Sequence, residues 1–308
     1  MLANSMTRRQ NTLPDTNQNS DAMSNSPITT HSYPATPGGL PPQEASPEGR
    51  ARFTEAWALI PADVMRDIVT SNLPHWQATR AWVLARPMTG FSESFAHYLM
   101  EVAAGGGSHT PEPDSNAEAV LFVTSGAIQL TIEGTSHELR EGGYAFIPPE
   151  QSWQVVNNAT APAAFHWIRK HYVAVEGIAK PPAFVTSDGE VTPTPMPDCN
   201  DVWATSRFVD PDDLRHDMHV NIVTFQPGGR IPFAETHVME HALFVLQGTA
   251  SYLLNTDWVE VGPGDMMWLR AFCPQACIAK GNEPFRYLLY KDVNRHMPLS
   301  PGGLMRAR

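Results

Sequence analysis

From Phe53 onward, short apolar and β-branched runs alternate with breaks of Gly, Pro, Asn and Asp. Ala127–Ile132 ends at Glu-Gly, 144–147 at Pro-Pro, and 251–254 at Asn-Thr-Asp. Such runs, bounded by turn residues, predict strands joined by tight connections. Helical periodicity is nearly absent. Short helices are expected only around 61–69, with Pro61 in the first turn, and at 211–215. Many short strands of this kind predict an all-β fold of barrels or jelly rolls.

The pattern repeats. Gly106-Gly107 and the run Val120-Leu-Phe-Val-Thr-Ser-Gly126 return as Gly228-Gly229 and Ala242-Leu-Phe-Val-Leu-Gln-Gly248, an offset of 122 residues. Gly142 matches Gly264 and Phe146-Ile147 matches Trp268-Leu269 at the same offset, after which Phe165 aligns with Phe285 at 120. A period this long predicts two copies of one domain; a solenoid would repeat every ~20–50 residues. The expected division is a tail over 1–50, a first barrel over 51–180 and a second over 181–308. The tail is rich in Ser, Thr, Asn and Pro, and Tyr33 is its only aromatic residue. It lacks the apolar surface to offset its ordering entropy, so it is expected to be disordered.

Composition narrows the function. At 308 residues, either half can bury a core of its own. Lys and Arg number 21 against 32 Asp and Glu, a formal charge of −11, which disfavours nucleic acid and anionic membranes as partners. No apolar run reaches the ~18–20 residues of a membrane span, and no secretory leader is apparent. Cys199, Cys273 and Cys277 cannot pair completely, so a reducing cytoplasmic setting is the default. What remains is an enzyme or binding protein for a small molecule.

The second copy carries the chemistry. It reads Gly229-Arg-Ile-Pro-Phe-Ala-Glu235-Thr-His237-Val-Met-Glu-His241, and Gly248 follows. Glu235, His237 and His241 share parity, so on extended backbone they project from one face. One carboxylate and two imidazoles together are a divalent-metal donor set. Glu240 has the opposite parity and is expected to face outward. Gln275 follows Gly264-Asp265 by ten residues and offers an amide oxygen. Subtracting the offset gives Pro113, Ser115, Ala119 and Trp153 in the first copy, where no metal site is expected. His109 and Glu118 lie nearby without partners at metal spacing. Cys273 and Cys277 flank Gln275 and are read as buried small residues; His216 and His219 are read as part of a charged loop entering a strand.

The spacing Gly-x5-Glu-x-His-x3-His-x6-Gly resembles cupin motif one, and Gly264-Asp265…Gln275 resembles motif two. Usual cupin donors are His, His, Glu and His; the set Glu235, His237, His241 and Gln275 departs from that. It resembles the (S)-ureidoglycine aminohydrolase family of two-barrel cupins, as do the strings from His237 to Gly248, Tyr252 to Trp258 and Tyr290 to Arg295. The resemblance spans roughly 53–300, and implies two tandem cupin jelly-roll barrels, homo-oligomeric assembly and one Mn2+ per chain in the second. It implies hydrolysis of (S)-ureidoglycine to (S)-ureidoglycolate and ammonia in purine and allantoin catabolism. It also implies roles for Glu235 and Lys291 in catalysis and for Glu235, Gln275, Tyr287, Lys291 and Tyr252 in holding substrate. Residue by residue, Lys291 is otherwise a solvated strand end, and Tyr287 a core tyrosine. Two other functions stay open: a metal-dependent cupin dioxygenase, told apart by oxygen consumption, and a non-catalytic binding protein, told apart by ligand retention without turnover.

Overall fold

The computed structural model describes residues 31–40 and 49–292. Expectations that fall on 1–30, 41–48 and 293–308 lie outside the described residues.

The fold is all-β. Among the described residues the strands form an eight-stranded, a ten-stranded and a three-stranded sheet, with long strands paired antiparallel. The expected helix over 61–69 is two single 3-10 turns, Ala62–Val64 and Asp67–Val69; 211–215 is turn without helix. With three residues each, neither run reaches the length at which a helical nucleus is offset by propagation.

Three apolar clusters organise the molecule. Val123, Leu130, Trp153 and Trp167 belong to the interior of the first barrel. Val245, Tyr252, Leu254 and Tyr287 belong to the interior of the second. A third cluster is the seam between barrels, where Trp82, Phe122 and Phe146 meet Phe244, Trp268 and Tyr290. The strand His241–Gln247 shows the logic. Leu243 and Val245 enter the second interior; Ala242, Phe244 and Leu246 enter the seam. Both faces are covered, so this strand reads as a continuous apolar run. The glycines ending the motif runs are steric requirements. Gly126 and Gly248 have φ of 69° and 70°, and a Cβ on Gly248 would stand 2.4 Å from the Pro284 carbonyl oxygen.

The two halves exchange strands. Trp57–Ile60 pairs with Met266–Leu269 of the second barrel, with Trp57 opposite Leu269 and Ile60 opposite Met266. Phe184–Ser187 pairs with Gly143–Ile147 of the first barrel. The strand leading into each copy therefore completes the sheet of the other, and boundaries at 50/51 and 180/181 do not mark the edges of the sheets.

The tail expectation also needs correcting over its described part. Tyr33 packs edge-on against Phe122 at 5.5 Å, and its hydroxyl donates to Asp188 at 2.8 Å. Thr36 donates to Glu101. Arg50 reaches both carboxylate oxygens of Asp265 at 2.8 and 2.9 Å. Low average hydrophobicity hid one well-placed aromatic ring and a bidentate ion pair.

Candidate functional site

The site lies at one end of the second barrel, and its backbone sets it up. Glu235 and Gln275 exchange main-chain hydrogen bonds, Glu235 N–H to Gln275 O at 2.9 Å and the reverse at 2.8 Å. Residues 236–240 then leave the sheet, and Phe272 N–H holds the His237 carbonyl at 2.7 Å. Pairing resumes at His241. Glu235, His237 and His241 thus converge through a bend. The single extended stretch of shared parity expected from sequence is absent, and closure of the barrel end brings the three side chains together.

The side chains form a contact chain. Tyr252 Oη donates to Gln275 Oε1 at 3.0 Å, and Gln275 Nε2 donates to Glu235 Oε1 at 3.2 Å. His237 Nε2 lies 3.4 Å from the same oxygen, and the His237 and His241 rings are 4.7 Å apart. Tyr287 meets Tyr252 edge-to-face at 6.1 Å. Lys291 is the register partner of His241 on one side and of His219 on the other, so all three side chains share the inner face. The structure therefore gathers all seven expected residues at one barrel, Tyr252 and Tyr287 in its core and Lys291 half-buried at the rim.

Electrostatics suit cation binding. Burial, then His237 and Lys291, hold the His241 imidazole down to about 3, so the ring is neutral at neutral pH. Its Nδ1 lies 3.2 Å from the Met239 carbonyl, which can only accept, so Nδ1 carries the proton and Nε2 keeps its lone pair. Burial first, then nearby groups, raise the phenols of Tyr252 and Tyr287, which remain donors. Burial and Arg207 lower Lys291, while Asp292 and Glu235 oppose the shift.

Among the described residues no three His, Cys, Asp or Glu side chains form a preassembled metal cluster. The donor chemistry nevertheless fits a divalent ion. Two imidazoles are available, Gln275 Oε1 has a second lone pair beyond the one Tyr252 uses, and Glu235 Oε2 has no protein donor among the described residues.

One further expectation is corrected. Glu240 does point away from the second barrel, yet it is buried in the seam rather than solvated. The loop expected to enter a strand does so at Met218, and His219 lies on the strand Met218–Phe225, buried and facing the site. Burial, then Lys291, bring its pKa to about 4. Asn221, two residues on, shares that face and has a buried Oδ1 with no partner among the described residues. Parity with Val223 and Phe225 was the available signal for both. Cys273 and Cys277 are buried free thiols, as expected. A separate cavity of about 570 Å3, lined in part by Lys170, Asp217 and Asp292, contains none of the seven residues.

Comparison with known proteins gives the context. The cupin domain model matches residues 98–169 and 221–290, one segment per barrel. The chain is 31% identical over 234 residues to the (S)-ureidoglycine aminohydrolase of Escherichia coli strain K12, covering 75% of this chain and 87% of that one. It is 31% identical over 235 residues to the (S)-ureidoglycine aminohydrolase of Arabidopsis thaliana, covering 74% of each. Among solved structures, a putative glyoxylate-induced protein from Pseudomonas aeruginosa superposes with a TM-score of 0.83 at 59% identity, covering 88% of this chain and 99% of that one.

Proposed function

The chain is an enzyme of the (S)-ureidoglycine aminohydrolase family of two-barrel cupins, and from that membership we propose that it hydrolyses (S)-ureidoglycine to (S)-ureidoglycolate and ammonia. The observation that carries the proposal is the convergence of Glu235, His237, His241 and Gln275 at one barrel end, with Lys291 beside His241 on the same face.

The substrate carbon bears an amine, a ureido group and a carboxylate. Replacing the amine with water requires an anchored substrate and a proton for the leaving nitrogen. Lys291 is the group to pair with the substrate carboxylate, a charge-assisted contact in a half-buried setting. Tyr252 orients the Gln275 amide, and Tyr287 offers a second phenol for the ureido group. Glu235 accepts a hydrogen bond from Gln275 and is the carboxylate placed to take or return a proton. Glu235, His237, His241 and Gln275 would hold the divalent ion, which supplies Lewis-acid polarisation when bound. Oxygen donors from a carboxylate and an amide favour manganese over zinc. We also propose a cytoplasmic setting and a homo-oligomeric assembly; no helix among the described residues is long and apolar enough to cross a membrane.

The test is ammonia release from ureidoglycine generated in place, using metal-stripped chain with and without added Mn2+. Manganese-dependent release that disappears in His237→Ala is the expected result. Release no faster than the spontaneous rate, in chain shown to hold metal, would overturn the aminohydrolase reading and send the site to oxygen-uptake and ligand-retention assays.

A further inference from the structure

We propose that Glu240 is a positioning residue through which the first barrel holds the metal-ligand strand of the second in register. The proposal rests on the metal-site reading above and adds to it a residue and a cross-barrel contact.

The Glu240 carboxylate is 6% exposed and lies in the seam. Its Oε1 accepts from Ser94 N–H at 2.9 Å and Ser94 Oγ at 2.7 Å. Its Oε2 accepts from Glu93 N–H at 3.1 Å and from the Trp268 indole at 2.9 Å. Among the described residues no cation pairs with it. A buried charge is costly unless its lone pairs are filled, and here neutral dipoles alone fill them. Such dipoles stabilise the carboxylate only while their directions are kept, so the contact fixes geometry more tightly than an ion pair on a flexible cation would.

What the contact fixes is the approach to His241. Glu240 precedes that residue directly. Met239 is tied from the other side, since its carbonyl takes the His241 Nδ1 proton. The same first-barrel loop also reaches the partner strand: Ser94 Oγ lies 3.2 Å from Tyr290 Oη, and Tyr290 directly precedes Lys291. Because side chains alternate along a strand, Glu240 and Tyr290 face the seam while His241 and Lys291 face the site. Two adjacent residues of the loop 86–94, Glu93 and Ser94, therefore sit behind both His241 and Lys291.

The test uses the full chain and Mn2+ alone as probe, with uptake by metal-stripped protein read from the spin-resonance signal of free Mn2+. Loss of a group that orients a ligand weakens metal binding about 10–100-fold; Glu240→Gln is expected in that range, with kcat at saturating Mn2+ lowered and KM little changed. Ser94→Ala, which keeps the carboxylate and most of its donors, is expected to show a smaller loss in the same direction. It also serves should Glu240→Gln not fold. Asp188→Asn is the control. It removes another buried cross-seam contact, to Arg286 at 2.5 Å, at the opposite end of that strand from Lys291. It is expected to lower thermal stability while leaving Mn2+ affinity unchanged. Wild-type Mn2+ affinity and kcat in whichever clamp variant folds would overturn the proposal. No substrate enters the titration, so a wild-type chain that binds Mn2+ without releasing ammonia overturns the aminohydrolase reading alone. A wild-type chain that takes up no Mn2+ overturns both.

Discussion

The two barrels are the same object filled in two ways. Register places Ala119 opposite Ile147 in the first and His241 opposite Leu269 in the second. It places Trp153 opposite Ile132 where the second barrel has Gln275 opposite Leu254. Leu130 stands where Tyr252 stands, and Phe165, opposite Val123, stands where Tyr287 faces Val245. His241, Gln275, Tyr252 and Tyr287 of the second interior thus have apolar counterparts in the first: Ala119, Trp153, Leu130 and Phe165. The first barrel closes its space with rings: Trp153, Tyr98 and Trp76 all lie within 6 Å of Trp167. The counterpart of Lys291 is Arg169, which pairs with Glu112 and lies over the Trp167 ring. The fold thus demands a filled interior and is indifferent to polarity; the polar filling lies in the barrel where we propose that ion and substrate bind.

Exchanging counterparts tests that lesson. The largest effect is expected for Trp153→Gln, which opens a cavity and buries an unsatisfied amide. It should cost about 3–5 kcal/mol, read as a lowered denaturation midpoint, with no metal bound in return. A chain as stable as the parent would break the comparison. His241→Ala, the reverse exchange, should cost at least about 100-fold in ammonia release, the upper limit for groups that only orient a ligand. Its thermal stability should be kept or improved, since a neutral imidazole leaves a buried site. Tyr252→Phe removes one hydrogen bond to Gln275, about 1 kcal/mol, so a several-fold drop in kcat/KM is expected with near-parental stability.

The smallest effect is at the seam, where Asp292 occupies the place that Lys170 has in the first barrel. Burial, then Glu240, push the Asp292 carboxyl up to about 6, with Lys170 pulling the other way. The folded value lies above the ~3.9 of an unfolded chain. The stability this group contributes is therefore whole below about pH 4 and lost as pH rises through about 6. Asp292→Asn should raise the melting temperature near neutral pH, and the gain should vanish by about pH 4. A gain of equal size at both pH values would count against this assignment.

The convergence of Glu235, His237, His241 and Gln275 was legible because residue type and spacing carry it, and the bend at 236–240 altered how the first three converge without altering that they do. The repeat was legible but misaligned at its end. Phe165 aligned with Phe285 by letters, whereas register matches it with Tyr287 and keeps the 122-residue offset. A bulge in each barrel, between Ala164 and Phe165 and between Val245 and Gln247, conceals this from a linear comparison. Glu240 was out of reach for another reason. Its parity was read correctly, but the donors that bury it come from Ser94, 146 residues away. The exchange of leading strands was hidden likewise, since the edge that Trp57–Ile60 completes is formed at the far end of the chain.

That exchange has a consequence in time. During synthesis Trp57–Ile60 emerges roughly 200 residues ahead of Met266–Leu269, on the order of 10–40 s at ~5–20 residues per second. Through that interval a short apolar strand waits without its partner. Gly143–Ile147 waits far less for Phe184–Ser187. The first barrel can close while the ribosome is still working; the second must retrieve a piece of chain made at the outset. Nascent chains stalled before residue 266 are thus the ones expected to engage chaperones or pair wrongly with each other.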